Sequence, residues 1–369
     1  MRSVTFAVFW AACTIFAATS SGEARPRGGL YLVVDLSGGP SAMTYPVSSL
    51  DAEPQGGWTD EYKTTKLVLR RIPVAKIPAG DTWTMGTISV ESDRYSWREA
   101  SHKVTLTNNY YIGVFPVTQA QAAIVTNYAG IAINAVANSS TEPYYTVEGA
   151  MRPVERISYN QIRIYTMAGN GGATNNQLKK SWPNEPDPNS FLGELRSMTG
   201  GGIDFDLPSE AQWEFAARAG NGAGYWGDGT PILNGSPDAN LNRIGRYKGN
   251  LPGDNIAQTA APSEGGTPIV GSYAPNKWGL YDMQGCVWEW CLDWYQDDIS
   301  VLNGAVNIKF DDPTQPATGT TMDGKRAARG GSMDSVAGLC RPGFRNAGYS
   351  ANARQRDIGF RLVCTAGLK

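Results

Sequence analysis

Glu289 is the residue whose setting most invites chemistry. It stands between Trp288 and Trp290 in the run Gly279-Leu280-Tyr281-Asp282-Met283-Gln284-Gly285-Cys286-Val287-Trp288-Glu289-Trp290-Cys291-Leu292-Asp293-Trp294. On a strand the two tryptophans share a face and Glu289 points to the other. A carboxylate among indoles is costly to bury unless it is hydrogen-bonded or holds a cation. Two roles therefore compete for it, a structural acid and a metal ligand. Thiols are the second candidates. Cys286, Cys291, Cys340 and Cys364 lie in the last third of the chain and offer disulfide, soft-metal or redox chemistry. The one histidine, His102, lies in the alternating run His102-Lys103-Val104-Thr105-Leu106-Thr107 and reads as a structural hydrogen-bonder.

These residues need elements to position them, and the chain supplies short ones. Leu30 to Leu36 is β-rich and ends at the turn Ser37-Gly38-Gly39-Pro40. Thr64 to Ile72 alternates, with Leu67, Leu69 and Arg71 on one face. Residues 25–71 thus form a small β-rich N-terminal extension. Further on, Tyr110 to Thr118 continues in β character and Thr118 can cap a helix. Ser158 can cap another of about ten residues. Ser209 with Gln212 forms a capping box for the clearest helix, whose Trp213, Ala216 and Ala217 share a face and which Gly220 stops. Asn221 to Ser272 reads as one long loop, rich in Asp and Asn, and suits a hard cation. Ile358 to Cys364 reads as a closing strand.

The balance of 32 basic against 34 acidic residues argues against nucleic acid as a partner, because no basic stripe is available. Residues 1–24 read as a signal peptide: Arg2 is basic, Val4 to Ala18 is apolar and too short to span a bilayer comfortably, and cleavage near Ser20 or Ala24 fits. No later run could cross a membrane, so an exported protein, periplasmic or extracellular, is expected. Loss of the leader removes Cys13. Four cysteines in an exported chain imply disulfides, and three pairings are open. The 43 glycines, 22 prolines, 11 tryptophans and 17 tyrosines predict many turns held by aromatic anchors and little continuous helix.

Several phrases then follow one another in a telling order: Ile77-Pro78-Ala79-Gly80 with Met85-Gly86, His102 to Leu106, Tyr111-Ile112-Gly113 with Pro116-Val117-Thr118, Pro153-Val154-Glu155, Leu207-Pro208-Ser209-Glu210-Ala211-Gln212-Trp213-Glu214, Tyr225-Trp226-Gly227, Gly279 to Met283, Val287 to Trp290, Arg329-Gly330-Gly331-Ser332 and Gly359-Phe360-Arg361. In this order the chain over 72–369 resembles the formylglycine-generating enzymes, the sulfatase-modifying factor domain family. The resemblance implies an irregular α+β fold related to C-type lectins, with low regular secondary structure.

It also implies sites. Such enzymes oxidise a sulfatase cysteine to formylglycine with O2 and copper held by two cysteines, a donor set that suits Cu(I). Counted from Ser332, Cys340 falls at the second cysteine's position and Ser335 at the first. Counting back from Gly359-Phe360-Arg361 gives another register. With one thiolate there, a linear two-sulfur copper site is lost. The histidine-bound iron site of related sulfoxide synthases needs three histidines and is excluded by the lone His102. For calcium, the family's ligands carry over to Asp282, the carbonyls of Gly285 and Val287, and Glu289, with Cys286 replacing the usual asparagine between them. A second set falls at Asn240, Leu241, Asp254 and Ile256. The same likeness implies disulfides Cys291–Cys340 and Cys286–Cys364. Arg329, Arg341, Arg345 and Arg361 either line a polar cleft or pair with acids such as Glu289 and Asp293. The expected function is a calcium-stabilised binding module with a Tyr and Trp surface for a protein, peptide or glycan. The alternative is an active formylglycine-generating oxidoreductase using Cys340.

Overall fold

The alternating runs near the N-terminus become the middle of the largest sheet. In the computed structural model, which describes residues 28–74, 83–87, 91, 94–106, 108–128, 149–164, 185–235, 237–250, 266–300, 308–309 and 325–365, β1 (Tyr31–Asp35) pairs antiparallel with β2 (Val47–Leu50) and with β3 (Lys66–Ile72). Next to β3 lies β6 (Tyr110–Gly113), and next to β6 lies β12 (Val363–Thr365). The order is β12-β6-β3-β1-β2. The extension read over 25–71 therefore supplies β1, β2 and all but the last residue of β3. The leader read over 1–24 lies outside the described residues.

Period two decides what each face of this sheet covers. Leu32, Val34, Leu67 and Leu69 enter the largest core cluster. Tyr31, Val33 and Val68 pack on the other side with Tyr62, Phe115 and Trp58. A second sheet runs β10 (Tyr349–Ser350), β9 (Lys325–Arg329), β7 (Trp288–Trp294) and β11 (Ile358–Gly359), with β11 parallel to β7. Trp288 and Trp290 of β7 share the main core with Phe344 and Phe360, as their spacing predicts. A small third sheet holds β4 (Trp83–Met85), β5 (His102–Thr105) and β8 (Ile308–Lys309).

The predicted caps are present. Thr118 and Gln121 bond reciprocally at the start of α1 (Gln119–Tyr128). Ser158 with Gln161 forms a capping box for α2 (Tyr159–Arg163), which has five residues rather than ten. Ile164 is extended there, and Arg163 turns to Asp206 with bonds of 2.7 and 2.8 Å. A helix the sequence did not announce, α3 (Phe191–Met198), is capped by Ser190 and buries Phe191, Leu192 and Leu195. Ser209 and Gln212 box the start of α4 (Glu210–Arg218), which ends with Ala219 at φ 47° and Gly220 at φ 83°. Trp213, Ala216 and Ala217 are buried in one cluster.

The expected closing strand is two strands. Ile358–Gly359 joins the second sheet and Val363–Thr365 joins the first. Between them Arg361 turns inward, and the link ties the two sheets together. The outcome is a mixed α+β fold of short elements linked by long loops.

Candidate functional site

The 279–294 run makes a tight turn and then β7. Asp282, Gly285 and Cys286 have φ of 56°, 78° and 67°, the left-handed region that favours glycine. At Gly285 the requirement is steric as well, since a Cβ would stand 2.1 Å from the Arg246 carbonyl oxygen. Gly285 N–H donates to Gly330 O at 2.7 Å, Cys286 N–H to Arg246 O at 2.7 Å, and Met333 N–H to Cys286 O at 2.9 Å. The turn is thus bonded to Gly330 and Met333, which bracket Gly331-Ser332, and to Arg246. The two regions that the sequence singled out separately are neighbours.

Glu289 is fully buried and is satisfied as an acid. Its Oε2 accepts from Trp213 Nε1 at 2.6 Å and Arg361 Nε at 2.6 Å, and its Oε1 accepts from Arg361 Nη2 at 2.7 Å. Arg361 also donates to Gly113 O and Tyr281 O. The other arginines follow the same rule. Arg341 meets Glu91 and Glu99, Arg345 grips Glu210 with two bonds, and Arg329 meets Glu214. Asp293 instead accepts from Glu210 N–H, and burial together with the Glu210 charge raises its pKa to about 7. The arginines pair with acids rather than lining an open cleft.

Asp282 behaves differently. Its Oδ2 accepts from Gly271 N–H at 2.7 Å, while its buried Oδ1 has no hydrogen-bond partner. Burial raises its pKa to about 6, with Glu289 adding to the rise. A buried, unsatisfied carboxylate oxygen costs stability. It is the one group in the turn whose chemistry asks for a cation. Glu289 keeps one lone pair on Oε1 beyond its Arg361 bond. Asn240 donates to Pro231 O and precedes Leu241 at the start of a one-turn helix, Leu241–Ile244. Asp254 and Ile256 lie outside the described residues. Among the described residues no group of three His, Cys, Asp or Glu side chains converges on a metal position.

The four described cysteines are free and buried, which corrects the expected Cys291–Cys340 and Cys286–Cys364 bonds. Packing is the reason. Cys291 sits with Trp213 and Leu280, Cys340 with Trp226 and Tyr247, and Cys364 with Phe360 and Leu362, each in a different cluster. Burial holds all four thiols above their ordinary pKa. Around Cys340, Ser332 is the hub. Its N–H donates to Ser335 Oγ at 3.0 Å and also faces the Cys340 sulfur. Its hydroxyl lies 3.1 Å from Ser335 Oγ and donates to Asp357 Oδ2 at 2.8 Å. Ser335 and Cys340 therefore flank one amide. Asp357, which sequence reading missed, carries no motif beyond its place just before the Ile358 run.

Across 72–366 the chain matches the model of the sulfatase-modifying factor enzyme 1-like domain. The chain belongs to this family. Among curated relatives, the formylglycine-generating enzyme of Thermomonospora curvata is 36% identical over 143 residues, 38% of this chain and 40% of that enzyme. The mouse protein named inactive C-alpha-formylglycine-generating enzyme 2 is 38% identical over 104 residues, 27% of this chain and 30% of that one. The matches thus span well under half the length of these relatives. PvdO from Pseudomonas aeruginosa superposes with a TM-score of 0.54 at 21% identity, covering 85% of this chain and all of that one, and Treponema denticola variable protein 1 with 0.51 at 25%, covering 81% and 95%. The sulfatase-modifying factor domain here therefore has the C-type-lectin-like α+β fold of its family. No helix among the described residues is long and apolar enough to cross a membrane.

Proposed function

We propose that this chain is an exported, non-catalytic member of the sulfatase-modifying factor family that acts as a calcium-stabilised binding module. One observation carries the reading: at the place where the family's copper needs two thiolates, Ser332 N–H is flanked by one sulfur, Cys340, and one hydroxyl, Ser335. A hydroxyl is a hard, protonated donor and Cu(I) prefers soft sulfur. The Cys340 thiol is itself held protonated by burial. The residues present do not fit copper. The test is direct. The purified chain, supplied with copper, O2 and a cysteine-bearing sulfatase peptide, is expected to produce no aldehyde that a hydrazide tag can capture. Turnover would replace this reading with the oxidase one.

Calcium fits better. Asp282 Oδ1 supplies the unmet donor, the carbonyls of Gly285 and Val287 are the family's companions, and Glu289 adds a lone pair of Oε1. Hard oxygen donors on a tight turn suit Ca2+. Its contribution is to neutralise the turn's charge and hold the Gly330 segment against β7. The sign of the pH effect follows from Asp282. A carboxyl whose folded pKa is raised binds its proton more tightly when folded, so its stabilising protonation is lost as pH rises from the ordinary carboxylate range through about 6. Calcium substitutes for that proton. At a hundredfold excess over Kd it is expected to stabilise by about 2–3 kcal/mol. The melting temperature should rise with Ca2+ at pH 7.5, rise less at pH 5, and rise in neither case for Asp282→Asn. An equal gain in Asp282→Asn would remove Asp282 from the site.

A further inference from the structure

Tyr95 and Trp97 form an exposed aromatic pair outside the site described above. They are 38% and 43% exposed, and their rings meet edge to face at 5.4 Å. The segment beneath them is held by hydrogen bonds. Tyr95 O accepts from Arg98 and Glu99 N–H, Trp97 O accepts from Ile299 N–H at 2.8 Å, and Tyr95 N–H donates to Glu99. Glu99 is buried on Arg341, so the platform is anchored through an ion pair in the core. Beside it Arg98 Nε donates to Asp297 Oδ1 at 2.5 Å, and Tyr295 OH donates to the same oxygen at 2.8 Å. Asp297 Oδ2 and the Arg98 Nη donors make no bond among the described residues.

What such a platform can hold is limited by size and charge. The two rings expose on the order of 200 Å² together, against about 800 Å² per partner for a stable protein interface. The ligand is therefore small. A cation is disfavoured, because the Arg98 guanidinium already lies 5.0 Å from the Tyr95 ring centroid and would repel it. A pyranose fits both demands. It is neutral, its axial C–H bonds present an apolar face to an indole, and its vicinal hydroxyls need an adjacent acceptor and donor. Asp297 and Arg98 are such a pair, fixed before binding.

We propose that Tyr95, Trp97, Arg98 and Asp297 form a subsite for one pyranose unit of a neutral glycan. This deepens the binding-module reading, and the two fail separately. A chain that oxidised a peptide yet bound sugar through Trp97 would lose the first and keep the second.

The experiment is isothermal titration of the full chain with cellotetraose, mannotetraose and tetra-N-acetylchitotetraose at millimolar concentration, with tryptophan fluorescence in parallel. Binding of at least one is expected, weakened about tenfold in Trp97→Ala and also weakened in Asp297→Asn. Trp97→Phe should retain part of the affinity, and each variant's melting temperature checks folding. Absence of binding to all three overturns the proposal. So does affinity that Trp97→Ala and Asp297→Asn leave unchanged, or fluorescence that tetramethylammonium perturbs while the sugars do not.

Discussion

Arg361→Ala is expected to destabilise the protein by about 3–5 kcal/mol, a large fraction of the stability usual for a folded domain. Arg361 is fully buried. Its removal strands Glu289 as an uncompensated charge among indoles and leaves Gly113 O and Tyr281 O without their donor. It also unties β11 from β12, because Arg361 is the residue between the two sheets that bonds β6, the 279–294 turn and β7 together. Replacing both partners, Glu289→Met with Arg361→Met, should cost less than the sum of the single changes, since no lone buried charge remains. Urea unfolding of the three variants measures this. A single-variant cost under about 1 kcal/mol, the range of solvated surface pairs, would show that the pair is not buried in solution. Calcium supplies a cross-check. Without the guanidinium, Glu289 is released toward the turn, so Ca2+ should stabilise Arg361→Ala more than the parent chain.

The need for this pair was legible in the sequence, and its partner only as one of four arginines, Arg329, Arg341, Arg345 and Arg361. An acid between Trp288 and Trp290 has to be neutralised, and that follows from solvation alone. Arg361 lies 72 residues further on, and nothing local points from one to the other. Capping was legible for the same reason that it works: Ser158 with Gln161 and Ser209 with Gln212 satisfy amides within one turn. The length of α2 was not, because Arg163 is drawn away by Asp206, a tertiary partner. The disulfide expectation failed on packing. Pairing of thiols would be chemically favourable in an exported chain, yet Cys291, Cys340 and Cys364 are separated by the apolar clusters that bury them. The two halves of the calcium expectation divide similarly. Asp282 and Glu289 lie within one turn and strand, so their proximity is local, whereas the Asn240 set depends on Asp254 and Ile256, which lie outside the described residues.

Ser335→Cys is expected to convert a chain that takes up no stoichiometric Cu(I) into one that binds about one equivalent. Ser332 brings the two positions together. Its amide faces Ser335 Oγ and the Cys340 sulfur together, so a second thiol at 335 would enter beside the first. Two thiolates give Cu(I) the soft donor pair that it prefers, and binding drives both to deprotonate despite burial. The substitution changes one atom type and leaves the side-chain length nearly unchanged, so the loss of stability should be small. Chelator competition measures the copper, and Ser335→Cys combined with Cys340→Ser provides the control that should return to zero. If the new pair oxidises instead, a disulfide between 335 and 340 reports the same proximity. Neither copper nor a disulfide would mean that the two side chains are not within reach, and the registration of Ser335 with a missing thiol would fall. Should the copper-loaded variant also oxidise a sulfatase peptide, the remaining apparatus of the family is intact in this chain, and the distance between binding module and oxidase is a single hydroxyl.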